Sequence, residues 1–462
     1  MFFVWCGKGR MCEKCVISRG KINKEYKENY MLLNKFLGFE PENMKVKTEI
    51  VAGATTFFTM SYILAVNPMI LSITGMDKAG VFTATAIASA IATILLAFMA
   101  KLPFAQAPSM ELNAFFAFTL CQGMGFTWQQ SLAALLVEGL IFLLITFFNV
   151  RELILKSIPT NLRYAISVGI GMFIAFIGLK NAGIIVANSA TIVGLCSFTP
   201  TSILGIIAII MSGVLMARKI KGALFISIIA ATVVGIPLGV TQIPASWLPV
   251  SAPNSLAPVF CKFDFFGLLN FKMFIVIFSL LLVNIFDTVG TLVGLADKSG
   301  ITRPDGTIPR VREAMMSDAI GTTCGAFLGS STITTYVESA SGMAEGGRSG
   351  VTSFVVGIFF LISLFLSPLF LLIPAAATSG ALVMVGVLMV GSVKKIELND
   401  ISEAFPAFIT MITMVLCYSI SDGICLGILT YVLVKLCVGK YREVTPILII
   451  LSLIFILNFV LG

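Results

Sequence analysis

The chain has 462 residues, of which 58% are apolar and only 12% are charged, and its mean hydropathy is +1.00. Soluble domains carry roughly a quarter charged residues, so this composition excludes an ordinary globular protein, and its hydrophobicity excludes disorder. Long apolar blocks, rather than alternating segments of about ten residues, favour membrane helices over a β-barrel. We attribute the formal net charge of +8 to membrane topology rather than to nucleic-acid binding.

Missing residues and motifs narrow the chemistry further. The chain has no histidine, so histidine cannot serve as a metal ligand, a general base or a proton carrier. No GxxxxGK[ST] phosphate loop is present, which argues against an ATP-driven pump of that type. Cys12 and Cys15 form a CxxC without a second pair, and structural zinc needs four ligands. We therefore expect neither a metal nor a cofactor, and no enzymatic activity.

Apolar blocks of membrane-spanning length follow a polar, lysine-rich segment, 1–46, of which 1–30 is a candidate extension. The first set of blocks runs over about 48–73, 79–100, 104–122, 127–148, 160–186, 200–217 and 222–240. The second set runs over about 271–296, 313–329, 330–346, 349–372, 374–393, 402–419 and 421–438. We predict a first seven-span repeat over 47–240, an extracellular linker over 241–270, a second repeat over 271–438 and a C-terminal segment over 439–462. The apolar run 446–461 is either a further span or an interfacial helix.

The distribution of the cations supports fourteen spans. With the N-terminal tail in the cytoplasm, all but four of the 31 lysines and arginines fall on the cytoplasmic side. The exceptions are Lys78, Lys180, Lys262 and Lys272. Short cytoplasmic loops of membrane proteins are enriched in these residues, and a wrong number of spans would not give so uneven a distribution.

The two sets of seven blocks are weakly alike. The fifth block opens with Ile158-Pro159-Thr160 and the twelfth with Ile373-Pro374-Ala375, and a Val-Gly pair follows in each. Because seven is odd, a repeated half must lie inverted in the membrane. Inverted repeats with interrupted helices at the midplane are typical of secondary transporters.

The third and tenth blocks are predicted to be interrupted by short strands. Pro103 and Pro108 break the third block, after which Ser109 is placed to cap a helix. In the tenth block the polar, β-branched run 330–336 favours a strand, with a helix starting at Glu338. Extended backbone at membrane depth must be buried in protein or line a cavity. Two such interruptions would bring two positive helix N-termini to one central site.

Acidic side chains within apolar spans are costly and indicate functional sites. Asp287 lies deep in the eighth span, Glu338 follows the strand-like run, Glu111 lies in the first turn after the third-span break, and Glu138 is a lone acid in the fourth span. The alternative for each is a structural role, as a helix cap or in an interhelical hydrogen bond.

Two further acids lie at predicted cytoplasmic ends. For Asp318 and Glu345 we predict snorkelling to the membrane surface or pairing with Arg312 or Arg348, rather than a place in the site.

Three motifs stand out in the second half of the chain, namely NIFDTVGTLVG at 284–294, TTYVESA at 334–340 and MAEGGR at 343–348. They resemble signatures of the AzgA-like purine permeases, a branch of the nucleobase–cation symporters. The likeness continues through DGTIPR at 305–310 and EAFPA at 403–407, and it extends from about residue 35 to the end of the chain.

This resemblance implies fourteen spans in two inverted repeats, with spans 1–4 and 8–11 as a core and spans 5–7 and 12–14 as a gate. It implies proton-coupled import of adenine, guanine or hypoxanthine. The acids of spans 8 and 10 fall on Asp287 and Glu338, and the polar residue of span 3 falls on Asn113. One departure is Glu111, which stands where the family has a glycine.

The chemistry of the residues agrees with such a substrate. A purine has N–H donors and ring-nitrogen acceptors on its edge, which a carboxylate and an asparagine amide can satisfy. Phe116 and Tyr336 are candidates for contact with the faces of the base. Without histidine, Asp287, Glu338, Glu111 and Glu138 are the candidate proton carriers.

The expected partners are a purine base, a proton and the lipid bilayer of the cell membrane, with a homodimer as an open possibility. The main alternative is an anion transporter or exchanger on the same inverted-repeat fold, which would need a cation or unopposed helix N-termini at its site. A membrane sensor or intramembrane enzyme is the second alternative, but it would need a nucleophile–base pair that the sequence does not show.

The topology leads to a first test by labelling single cysteines in a variant without native cysteines. Cysteines placed within 297–312 should react with a membrane-impermeant reagent only from the cytoplasmic side, and those within 241–262 only from outside. Labelling of 297–312 in intact cells would contradict the fourteen-span inverted repeat.

Overall fold

The computed structural model describes residues 33–148, 159–188, 191–243, 248–266, 271–299 and 309–461. The segment 1–32, which includes the CxxC, lies outside these ranges, as do the loop 300–308 and its share of the DGTIPR motif. The described chain is almost entirely helical. Its four strands are short and form two antiparallel pairs.

In the described part of the first half, the main elements are α-helices, three short strands and one π-helix. They are α1 (Val46–Met60), α2 (Ile63–Ser72), α3 (Lys78–Met99), β1 (Gln106–Pro108), α4 (Met110–Ala114), the π-helix (Phe115–Gly123), α5 (Trp128–Phe147), α6 (Thr160–Asn181), β2 (Ile185–Asn188), β3 (Ile192–Leu195), α7 (Pro200–Ala217) and α8 (Ala223–Gly235).

In the described part of the second half, the main elements are α-helices and one short strand. They are α9 (Phe271–Ser299), α10 (Val311–Leu328), β4 (Ile333–Thr335), α11 (Ser339–Ala344), α12 (Gly350–Ser363), α13 (Ser367–Leu371), α14 (Ala375–Val390), α15 (Ile401–Leu416), α16 (Ile420–Cys437) and α17 (Pro446–Leu461).

Seven helical stretches among the described residues are long and apolar enough to cross a membrane. They are Val46–Ser72, Lys78–Met99, Trp128–Phe147, Thr160–Asn181, Pro200–Ala217, Gly350–Leu371 and Ala375–Lys395. Shorter apolar helices occur at Ala223–Gly235, Lys272–Ile285 and Ile401–Leu416. Large apolar side chains such as Ile210 and Leu388 are exposed on the outer faces of the helices, as lipid contact requires. The fold is therefore that of a helical polytopic membrane protein, and the number of fourteen spans stays a prediction.

The first predicted span is not one continuous helix. Helix α1 ends at Met60 and α2 begins at Ile63, with Ser61 and Tyr62 in a turn between them. Pro68 lies inside α2, where it removes a backbone donor and disfavours a straight helix. The eleventh span is also interrupted, by the 3₁₀ turn Leu364–Leu366 between α12 and α13.

The helices pack in two groups. In the first group α3 packs against α10 and α12, α10 packs against α5, and α12 packs against α1. In the second group α6 packs against α14, α15 and α16, while α14 also packs against α7 and α8. Helix α17 contacts α16 of the second group and α9 of the first.

An ionic cluster holds the end of the second group together. The Lys435 side chain is 1% exposed, and its Nζ lies 2.6 Å from Glu403 Oε1 and 2.5 Å from Glu443 Oε2. Lys440 Nζ lies 2.5 Å from Asp400 Oδ2, and this hydrogen bond holds the pKa of the Asp400 carboxyl well below its usual range. The cluster joins the start of α15, the end of α16 and the turn before α17.

Candidate functional site

The two predicted interruptions meet in the structure. Strands β1 and β4 pair antiparallel, with Gln106 opposite Thr335 and Pro108 opposite Ile333. The Ser109 N–H donates to the Thr332 carbonyl at 2.9 Å and extends the pairing beyond the strands. The short helices α4 and α11 begin just after their respective strands, so both start beside one crossing point.

Two details of these interruptions differ from the prediction. Ser109 stands at the N-cap of α4 but makes no side-chain cap bond; its hydroxyl faces the Asp287 carboxyl group instead. Helix α11 begins at Ser339, with Glu338 as its N-cap residue, one position later than expected.

Three of the predicted acids come together at the crossing. Asp287 on α9 is close enough to Glu111 on α4 and to Glu338 before α11 for electrostatic interaction with both. Besides Ser109, the hydroxyl groups of Thr291 and Thr334 face the Asp287 carboxyl group. All three acids are half-buried, although their neighbours are mostly buried.

Asn113 lies two residues after Glu111 on α4 and leaves part of its amide group unused. The residue is completely buried, and its Oδ1 accepts a hydrogen bond from the Ser331 hydroxyl. Its Nδ2 has no acceptor in the described part of the chain. A buried amide donor without a partner costs free energy, so this atom is suited to an acceptor supplied by a ligand.

The two predicted aromatic contacts differ in position. Tyr336 is 6% exposed, interacts electrostatically with Glu111, Asp287 and Glu338, and donates its hydroxyl hydrogen to the Pro108 carbonyl at 2.5 Å. Phe116, on the π-helix, is completely buried and belongs to the central apolar core.

Glu138 is set apart from the other predicted acids because it is completely buried. Its Oε1 accepts a hydrogen bond from Asn284 Nδ2 at 2.7 Å, and its Oε2 accepts one from the Thr332 hydroxyl at 3.5 Å. Asn284 lies one turn before Asp287 on α9. Glu138 therefore joins α5 to α9 and to the extended segment before β4.

The prediction for Asp318 was wrong. Asp318 is completely buried on α10, and its Oδ1 accepts hydrogen bonds from Gln106 Nε2 and from the Thr335 hydroxyl. These two donors are direct partners across the strand pair. The acid thus bridges β1 and β4, whereas Arg312, its predicted partner, donates to the Phe147 carbonyl.

Glu345 also has a different partner from the predicted one. It forms an ion pair with Lys221, which lies between α7 and α8. The Arg348 guanidinium donates to the carbonyl groups of Met343 and Gly347.

The sequence analysis did not identify Tyr62 or Gln106. The Tyr62 hydroxyl donates to Glu338 Oε1 at 2.6 Å, from the turn between α1 and α2. Gln106 was visible only as a polar residue between two prolines. Among the described residues, no group of three or more acids and cysteines is arranged to hold a metal ion.

Two short helices that start at a strand crossing, within a shell of long apolar helices, define a polytopic transporter with a central site. Comparison with known proteins identifies the family. Residues 47–426 match the model of a permease family that is named for xanthine and uracil permeases. The chain belongs to this family, and it is a transporter rather than an enzyme.

Full-length relatives support this assignment. The chain is 42% identical to the adenine permease AdeP of Escherichia coli, over 93% of this chain and 96% of the relative. It is 39% identical to the guanine/hypoxanthine permease PbuO of Bacillus subtilis, over 90% of this chain and 98% of the relative.

Solved structures show the same fold at low identity. The transmembrane domain of the cyanobacterial bicarbonate transporter BicA superposes with a TM-score of 0.59 at 14% identity, covering 82% of this chain and 97% of that domain. A murine anion transporter of the solute carrier 26 family gives 0.59 at 12% identity, covering 88% of this chain and 70% of that chain.

The bridge made by Asp318 can be tested through stability. Asp318→Ala leaves Gln106 and Thr335 without their acceptor, and hydrogen bonds to charged groups contribute roughly 1.5–3 kcal/mol. We expect a clearly lower thermal midpoint for the detergent-purified protein. Asp318→Asn, which keeps one acceptor oxygen, should lower it less.

The matched control is Glu313→Ala, which removes an exposed acid from the same helix and should leave the midpoint unchanged. Gln106→Ala combined with Asp318→Ala should cost less than the sum of the two single changes, because the partners share one interaction. Equal midpoints for Asp318→Ala and Glu313→Ala would show that the bridge contributes nothing.

Proposed function

We propose that this chain imports purine nucleobases across the cell membrane by symport with protons. The observation that carries the proposal is the strand crossing, where three half-buried carboxyl groups interact and the short helix α4 also carries the buried amide of Asn113, whose Nδ2 has no partner in the described residues. It is supported by relatives that are named adenine or guanine/hypoxanthine permeases and match over nearly their whole length.

The site offers the two kinds of group that the edge of a purine requires. Asn113 Nδ2 donates to a ring nitrogen or to an exocyclic carbonyl oxygen. Asp287 and Glu338 accept from ring or exocyclic N–H groups when they are ionised. The Tyr336 ring supplies an apolar face beside the acids, and Phe116 of the central apolar core is the second aromatic candidate.

Coupling to protons is assigned to the same acids. Asp287, Glu338 and Glu111 are half-buried and interact electrostatically, so binding a proton at one changes the proton affinity of the others. Glu138 is a fourth candidate, but its complete burial and two donors favour a supporting role. Glu111, which stands where the pattern of the resembling family has a glycine, adds a further carboxyl group to the site.

For the transport cycle we propose that the first packing group is a core that carries the site and the second is a gate. The core comprises α1–α5 and α9–α13, and the gate comprises α6–α8 and α14–α16. This division follows the two inverted repeats, 47–240 and 271–438, with fourteen spans and a cytoplasmic N-terminus. Movement of one group against the other would expose the crossing alternately to the two sides.

The carboxyl groups are tested by Asp287→Asn and Glu338→Gln, which keep the shape of the side chain but remove its charge. Hydrogen bonds to charged groups contribute roughly 1.5–3 kcal/mol, and each 1.4 kcal/mol is about a factor of ten. Each change should therefore weaken purine binding about tenfold to a hundredfold or abolish coupled uptake. Asn113→Ala should weaken binding with less effect on proton dependence, because an amide does not titrate.

The measurement is uptake of radiolabelled adenine, guanine and hypoxanthine by cells without other purine permeases, together with binding to isolated membranes at equal expression. Glu313→Gln, at an exposed position, is the control that should behave like the parent. If Asp287→Asn and Glu338→Gln both bind and transport purines like the parent, the carboxyl groups are structural and the proposed mechanism is wrong.

The coupling ion is tested separately with the parent protein. If protons drive uptake, an imposed inward proton gradient should drive accumulation in proteoliposomes, and an uncoupler should abolish it while replacement of sodium changes little. Full accumulation with uncoupler and a sodium gradient would favour sodium coupling instead.

The alternative of an anion transporter has only the shared fold in its favour, at 12–14% identity. Three neighbouring carboxyl groups at the crossing disfavour an anionic substrate, because like charges repel. Accumulation of labelled bicarbonate or sulfate without uptake of purines in the same proteoliposomes would favour that alternative.

A further inference from the structure

We propose that Tyr62 is a positioning residue that holds the Glu338 carboxyl group by one oxygen and leaves the other oxygen for the substrate. This inference rests on the proposed function, because it assigns Tyr62 a role in the same purine site. Tyr62 lies in the interrupted first span, far from Glu338 in sequence. No function was predicted for that interruption.

The contact itself is short and protected. The Tyr62 hydroxyl lies 2.6 Å from Glu338 Oε1, and the tyrosine is 2% exposed. Within the described part of the chain, no other side chain donates a hydrogen bond to this carboxyl group. Tyr336 also lies near Glu338, but its hydroxyl hydrogen is donated to the Pro108 carbonyl. The carboxyl group also accepts a hydrogen bond from its own backbone N–H, so within the described residues Tyr62 is the side chain that orients it.

The position of Tyr62 follows from the interruption of the first span. At the turn the backbone switches to shorter-range bonds, from Leu64 N–H to the Ser61 carbonyl at 3.1 Å and from Ala65 N–H to the Tyr62 carbonyl at 3.0 Å. Pro68 further along disfavours a regular helix. The tyrosine thus stands where one helix ends and the next begins, at the level of the N-terminal end of α11.

The backbone of α11 is fixed independently of Tyr62. A Cβ atom at Gly342 would overlap the Thr56 hydroxyl and the Ala52 carbonyl, so α11 lies directly against α1. The Ser341 hydroxyl donates to Thr59 Oγ1 at 3.1 Å. Ala52, Thr56 and Thr59 share one face of α1 at helical spacing. Packing on this face holds the helix, while the hydroxyl of Tyr62 holds only the carboxyl group.

This separation allows a sharp test with Tyr62→Phe, which keeps the buried ring and removes only the hydroxyl. In the cell uptake assay we expect the KM for purine to rise about tenfold, as for the loss of one hydrogen bond to a charged group, with Vmax and expression near parental values. The pH dependence of KM should change as well. Thr59→Val, which removes the neighbouring polar bridge, is the matched control and should leave KM unchanged.

A double-variant cycle shows whether Tyr62 acts through Glu338. In a Glu338→Gln background, Tyr62→Phe should have little further effect on KM. An undiminished effect in that background would overturn the proposal, as would a KM and a pH profile for Tyr62→Phe that match those of the parent.

A measurement that needs no purine tests the role of Tyr62 independently of the proposed function. Dicyclohexylcarbodiimide modifies membrane-embedded carboxyl groups, and peptide mass spectrometry of the purified protein gives the labelled fraction of Glu338. Tyr62→Phe should increase the labelling rate severalfold, whereas Thr59→Val should not. Equal rates in Tyr62→Phe and parent would refute the role of Tyr62, while faster labelling in a protein that takes up no purine would refute only the proposed function.

Discussion

The pairing of two three-residue strands at the centre of the molecule is the interaction on which the rest of the site depends. In a membrane there is no water to satisfy backbone N–H and C=O groups, so extended backbone is tolerated only where protein partners satisfy it. Strands β1 and β4 satisfy each other, and Ser109 and Tyr336 extend the pairing at its ends. Each interruption is therefore possible only because the other one lies opposite to it.

Buried polar side chains fix this crossing from the surrounding helices. Asp318 on α10 contacts both strands through Gln106 and Thr335. Glu138 on α5 contacts Thr332 just before β4. Side-chain acceptors in an apolar interior are costly unless they are hydrogen-bonded, so each of these acids restricts the geometry of the segment that it contacts. The same hydrogen bonds that allow these polar groups to be buried also hold the strand crossing in place.

The sequence predicted the local features of this arrangement well, because they depend on neighbouring residues. Prolines at 103 and 108 and the β-branched run before Tyr336 predicted the two strands, and Asp287 and Glu338 were predicted to lie at one site. The partners across the fold were not predictable in the same way. Tyr62 and Glu338 are 276 residues apart, and nothing in the first apolar block except Pro68 marks its interruption.

The errors have a common physical origin. Asp318 and Glu345 were assigned to nearby arginines because charge pairing within a short segment is the simplest local expectation. In the structure Asp318 contacts a strand that precedes it by more than 200 residues, and Glu345 pairs with Lys221 of the other helix group. One sequence without homologues carries no signal for such contacts, since any buried acid could be satisfied by many donors.

The acids of the transporter fall into two groups by exposure, and the two groups are suited to different chemical roles. Glu138 and Asp318 are completely buried and accept hydrogen bonds from Asn284 and Thr335, respectively. Glu111, Asp287 and Glu338 are half-buried, so solvent and a ligand can reach them. A group that exchanges protons needs such access, whereas a group that holds two strands in register needs to be kept from it. The strand crossing contains both environments within a few residues, since the buried Asp318 accepts a hydrogen bond from Thr335 of β4 and the half-buried Glu338 follows three residues later.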